Sequence, residues 1–145
     1  MSKANTLETA FLELLFTNTT FAGVGDATGL PGSAVAGSLY FSLHTSDPGE
    51  AGDQTTNECT YTSYARVAVA RSGSGWTVTG NAVAVDANVT FPGGTGGSGT
   101  ATHWGLGTAS SGAGKLLYKG AISPSIVTGS GVTPQLTAGT VVTED

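Results

Sequence analysis

Charge is what this chain has least of: only 15 of its 145 residues carry one, five basic and ten acidic. Lys3, Arg66, Arg71, Lys115 and Lys119 are the only cations, and they are scattered. Five dispersed cations cannot form the phosphate-tracking stripe that nucleic-acid binding needs, so no nucleic-acid partner is expected. The same shortage removes electrostatic attraction to an anionic membrane surface. There is one cysteine, Cys59, which excludes an intrachain disulfide and suits assembly in a reducing cytoplasm. No window approaches the roughly 18 continuous apolar residues of a membrane helix. Glu8 and Glu13 interrupt the only apolar stretch near the N-terminus, so a signal peptide is not expected.

What is abundant is small and uncharged. Gly, Ala, Ser and Thr make up 78 of the 145 residues, with 23 each of Gly and Thr, and the hydrophobic fraction is 39%. Thr, Val and aromatic residues suit a pleated sheet, and Gly permits the positive-φ turns between strands. This length suits one domain with its own core, and residues 1–145 are read as a single domain.

The first segment stands apart. Leu7, Ala10, Phe11, Leu14 and Leu15 fall at i, i+3, i+4, i+7 and i+8, which predicts an amphipathic helix over about residues 6–17. Asn5 with Glu8 reads as a capping box, and Asn18 as the stop. The stripe either closes the chain's own core or docks a neighbouring subunit. On the docking reading Phe11, Leu14 and Leu15 are the candidate partner-binding anchors.

Beyond a Gly-rich loop at 22–38, period-two alternation takes over. Leu39, Phe41 and Leu43 alternate with Tyr40, Ser42 and His44, and Val67 and Val69 oppose Arg66. Ser72–Gly75 between the 64–71 run and Trp76–Thr79 predicts a hairpin. Further strands are expected near 82–85, 89–91, 100–106, 115–121, 125–127 and 140–143, after a long polar loop at 45–60. Eight or nine short strands separated by Gly-rich turns indicate an all-β, antiparallel β-sandwich with one short N-terminal α-helix, with a jelly roll as the natural topology. Leu39, Phe41, Leu43, Val67, Val69, Trp76, Val78, Phe91, Leu106 and Leu117 are the expected core. Residues 72–114 hold a single charge, Asp86, and residues 120–143 hold none. Such strands are either coated with Thr and Ser or covered by a partner.

No catalytic constellation is visible, and no enzyme activity is expected. His44, His103 and Cys59 are the only imidazoles and the only thiol, with neither triad context nor metal-ligand spacing. Asp47, Glu50 and Asp53 sit every third residue in a Gly-rich loop, yet lack the ligand order of an EF-hand, so a solvated turn is expected and no metal or cofactor. Gly94–Gly99 formally matches G-x-G-x-x-G but leads into a strand rather than a helix. Convergent carboxylates for glycoside hydrolysis are not apparent among Asp26, Asp47, Glu50, Asp53 and Glu58.

Four blocks in order carry a resemblance. They are Leu39–Gly52 (LYFSLHTSDPGEAG), Tyr64–Trp76 (YARVAVARSGSGW), His103–Ala109 (HWGLGTA) with Gly114–Tyr118 (GKLLY), and Ala138–Asp145 (AGTVVTED). Together they resemble a family of small virion proteins of tailed bacteriophages, over most of the chain. Members are often labelled tail-fibre proteins, and the chain also looks like a jelly-roll cement (decoration) protein on the capsid of a short-tailed phage. Compactness, acidity and the lack of a shaft repeat favour the capsid form. The resemblance then implies a non-enzymatic protein on the outer surface of the phage head, with the major capsid protein as partner and a homodimer or self-contacts across capsomeres. The alternative is a tail-fibre or baseplate-associated module that binds a receptor or another tail protein.

Overall fold

The computed structural model describes residues 2–144. The chain is all-β and antiparallel, of the sandwich class, with one short N-terminal helix. Helix α1 spans Asn5–Leu12 and runs into a π-helical turn, Glu13–Thr17. The strands are β1 Ser38–His44, β2 Val67–Ala70, β3 Trp76–Thr79, β4 Ala82–Val85, β5 Val89–Thr90, β6 Ser98–Gly107, β7 Leu116–Gly129, β8 Gln135–Leu136 and β9 Val141–Thr143. They form sheets ordered β2-β1-β6-β7, β3-β4-β9 and β5-β8. The residues gather into two compact units: the chain up to Ser38 with Ala70–Asn88 and the chain from Thr137, and Leu39–Val69 with Val89–Leu136.

In the first unit the helix covers the length read from the sequence, but its buried face is different. Glu8, Leu12 and Phe16 face inward, whereas Leu7 is 42% and Phe11 41% exposed. Ala10, Leu14 and Leu15 are half-buried. The i, i+4, i+8 row prevails because Phe16 fills the space beside Trp76, edge-to-face at 4.8 Å between ring centroids. The π turn, wider than an α turn, keeps Phe16 beneath Leu12. The expected capping box is also replaced. Ala4 is the N-cap with no side-chain cap bond, and Asn5 is already helical.

The C-terminal end follows the sequence more closely. Asn18 adopts the left-handed conformation at φ 59°, and its side chain clamps Ser33 at 2.8–2.9 Å through main-chain N–H and C=O. Arg71 supplies the remaining donors. Its guanidinium reaches the carbonyls of Leu15 at 2.6 Å, Leu14 at 2.7 Å and Ala36 at 3.0 Å, and the Ser33 hydroxyl at 2.9 Å. A cation on the terminal carbonyls satisfies groups the helix leaves open and complements its dipole.

The Ser72–Gly75 turn does not make a hairpin of β2 and β3. Strand β2 pairs in the sheet of β1, and β3 pairs with β4 instead. The hairpin is closed by the two residues Gly80-Asn81, with Gly80 at φ 61°, the turn chemistry that matches strand twist.

In the second unit β1 is central. Leu39, Phe41 and Leu43 point to one face with Trp104 and Leu106 of β6, and Phe41 meets Trp104 with ring centroids 5.8 Å apart. Tyr64 stacks on Phe91 at 6.3 Å. The expected core residues Val67, Val69 and Leu117 here, and Val78 in the first unit, are only half-buried. Each lies on a strand with one open side, where the inward side chain is left partly uncovered. The segments read as separate strands at 115–121 and 125–127 are one strand, β7. Pro124 is accommodated because β7 is an edge strand and its register shifts between the Ala101 and His103 pairings. Strand β8 was not anticipated, since two residues carry no periodicity.

Trp76→Ala and Phe16→Ala are each expected to cost roughly 3–5 kcal/mol in chemical denaturation. The double variant should lose clearly less than the sum, because the two rings share one contact. Additive losses would show that they do not stabilise each other.

Candidate functional site

The chemistry-bearing side chains of the second unit converge under the loop 45–60. On β1, Ser42 and His44 are two residues apart and therefore on one face, opposite Phe41 and Leu43; both are 0% exposed. His44 Nδ1 lies 2.8 Å from the Thr56 carbonyl, which can only accept, so Nδ1 carries the proton. Nε2 is then the acceptor for the Ser42 hydroxyl at 2.8 Å. The order hydroxyl, imidazole, carbonyl has the connectivity of a nucleophile, its base and an orienting acceptor. It is sealed, however, and Gly105 of β6 packs against it. A Cβ at Gly105 would lie 2.5 Å from His44 Nε2 and 2.8 Å from Ser42 Oγ. Burial is the largest influence on His44 and lowers its pKa below 6.5.

Gln54 is equally enclosed, accepting from the Ala109 N–H at 2.9 Å and donating to the Tyr40 carbonyl at 3.3 Å. Glu58 forms the charged part of the cluster. Its carboxylate takes Arg66 Nε at 2.7 Å and Nη2 at 2.8 Å, and the Tyr64 hydroxyl at 2.8 Å. Arg66 also donates to the carbonyls of Ala109 and Gly112, at 3.0 and 2.8 Å. The hydrogen bonds to Glu58 hold the pKa of Arg66 up, and burial raises that of Tyr64. Bidentate pairing of this kind is oriented, and with the two carbonyls it engages four of the five Arg66 N–H donors.

Cys59 lies beside Glu58 with 3% exposure. Burial, reinforced by the Glu58 charge, pushes its thiol up to about 11, so the nucleophilic thiolate is not the resting form at neutral pH. His44 has both nitrogens engaged elsewhere, and His103 Nδ1 lies 2.9 Å from the Thr102 hydroxyl. The two histidines and the cysteine are thus not brought into one reactive group.

The three loop carboxylates do not form one group either. Asp47 and Glu50 both pair with Lys119, at 3.0 and 3.1 Å, while Asp53 caps its own turn through Thr55 N–H and hydroxyl at 2.8 and 2.6 Å. The Gly49 N–H and then Lys119 hold Asp47 below the usual carboxylate range, and Thr55 does so for Asp53. Among the described residues, no group of three or more His, Cys, Asp or Glu is placed to hold a metal ion. No helix there is long and apolar enough to cross a membrane.

The candidate anchors lie in the first unit. Phe11 is exposed beside Leu7, one turn away on α1. Leu14 and Leu15 are half-buried, and their carbonyls are tied to Arg71. The charge-poor strands present Thr and Ser to solvent: Thr77, Thr79, Thr90, Thr100, Ser123 and Ser125 are exposed. Ser42, Gln54 and the Arg66–Glu58 pair escaped the sequence reading. For Ser42 the signal was present in its position two before His44 on one strand.

A family model described as Podophage GP4 fiber I protein gp80 matches the chain over residues 2–144. The chain belongs to that family. It is therefore a structural protein of a short-tailed phage, in agreement with the resemblance carried by the four sequence blocks. No curated protein matches it.

Gly105→Ala should destabilise the protein by about 1–3 kcal/mol, the usual cost of forcing a methyl into a filled core, and should shift the His44 ring resonances. Unchanged stability with unchanged ring resonances would show that the Ser42–His44 enclosure is loose.

Proposed function

We propose that this chain is a non-enzymatic building block of the virion that works through surface contact with other virion proteins. The observation that carries the reading is the contrast between its interior and its surface. Ser42, His44, Gln54, Tyr64, Glu58 and Arg66 are engaged with one another or with the main chain around the loop 45–60, and Ser42 and His44 have no exposed surface. The outer strand faces are hydroxyl-bearing and almost uncharged over 72–114 and 120–143. Such faces can be covered by a partner without desolvating charge.

The description of the family favours placement in a fibre of the short tail. Phe11 with Leu7 is the first choice of contact, since large apolar groups dominate interfaces when they fill pockets. Leu14 and Leu15 contribute less, being half-buried already. A second reading is a cement protein on the outside of the head, bound to the major capsid protein and paired across capsomeres, where each bound copy favours the assembled shell. The absence of any shaft repeat and the net charge of −5 support it, the charge offering complementarity to a basic patch on the shell.

Quantifying this chain against the major capsid protein in purified particles, with immunogold labelling, distinguishes the two. The fibre placement predicts a small copy number and label at the tail. Hundreds of copies spread over the head would establish the cement role in its place. Phe11→Glu should lower incorporation while lowering the melting temperature far less than Phe16→Ala, because Phe11 is exposed and Phe16 is fully buried.

A further inference from the structure

His44 is an ionisable side chain with no exposed surface, and an irregular segment folds against it through Thr56 and Glu58. The loop 45–60 places the Thr56 carbonyl on Nδ1, bridges His44 at Glu58, is closed on itself by Thr45 N–H to Asn57 O, and is tied to β1 by Cys59 N–H to Leu43 O, both bonds being 2.8 Å. The titratable and charged groups around the imidazole are Glu58 from the loop, Tyr64 and Arg66 from the segment leading to β2, and His103 paired opposite it on β6. Glu58 is the one anion among them, and it is already held by Arg66 and the Tyr64 hydroxyl. Arg66 adds charge of the same sign as an imidazolium. The closed arrangement is built for the neutral ring.

We infer that the loop 45–60 is a pH-gated cover, which opens to bring His44 to water as the solution is acidified while the strands beneath it stay paired. The direction follows from linkage. Burial lowers the His44 pKa in the closed form, with Arg66 and His103 adding to it and the Thr56 hydrogen bond and Glu58 opposing. An opened ring takes its proton near the ordinary value of 6.5. Stability of the closed form is therefore fully present above pH 6.5 and falls as the pH drops toward the closed-state value. The opening constant should rise by up to about tenfold per pH unit in that window. Asp47 and Asp53, held below the usual carboxylate range, keep their charges through it.

Native-state hydrogen exchange of the full chain, corrected for intrinsic rates, tests this between pH 7.5 and 5.5. The amides of Thr45, Gln54 and Cys59 should lose up to about tenfold protection per unit below pH 6.5, with Trp104 and Leu106 of β6 unaffected. His44→Gln should abolish the dependence and His103→Gln should retain it. Protection that does not vary with pH, an equal loss in β6, or a dependence that survives His44→Gln overturns the proposal. If His44→Gln does not fold, ¹⁵N titration of the wild-type ring decides: a His44 midpoint at or above 6.5 also overturns it.

Discussion

Strand β1 is buried on both faces, and one of those faces is polar. Leu39, Phe41 and Leu43 are satisfied by packing, but Ser42 and His44 lie at 0% exposure and need hydrogen-bond partners from the chain itself. That requirement explains most of the second unit. The loop 45–60 lies over the polar face because it brings the Thr56 carbonyl, and Gly105 is small because the imidazole and hydroxyl occupy the space above it. Gln54 and the Arg66–Glu58 pair continue the network to the turn at 109–114, so an irregular segment is held by oriented polar contacts rather than by apolar burial.

The first unit solves a different problem. Its core is a small apolar set around the Phe16–Trp76 contact, and its long Gly-rich loop has few large side chains to hold it. Arg71 and Asn18 compensate by binding main-chain carbonyls and N–H groups directly. A single guanidinium thereby joins the end of the helix to the loop at Ser33–Ala36. In a chain so poor in charge, the few cations are structural ties: Arg66 and Arg71 are committed internally, and Lys119 holds two carboxylates of the 45–60 loop.

This distribution bears on function. Ser42, His44, Glu58 and Arg66 are used to build the interior, and the exterior of the charge-poor strands is left to Thr and Ser, with isolated apolar side chains such as Val127 on β7 and Phe11 on α1. A virion protein of this composition can present several flat surfaces to neighbours without charge to desolvate. Fibre and capsid placements draw on the same physics, and the difference between them lies in the partner.

By itself, the sequence determined what local pattern can determine. Period-two alternation located β1, β4 and most of β6, the 3.6-residue spacing located the helix, Asn18 its end, and the buried large residues Phe41, Leu43, Trp76, Phe91 and Leu106 followed from strand faces. Composition and ordered blocks were enough for a phage structural protein. Tertiary structure alone decided which of two adjacent helical rows is buried, because Phe16 had to meet a ring 60 residues away at Trp76. It also decided that β2 pairs with β1 rather than β3, since a turn signal shows where the chain bends but not which strand lies beside it. The polar cluster was hidden for the same reason. His44, Thr56, Glu58, Arg66 and Gly105 meet only when a loop folds over a strand, and no local periodicity encodes contacts across that separation.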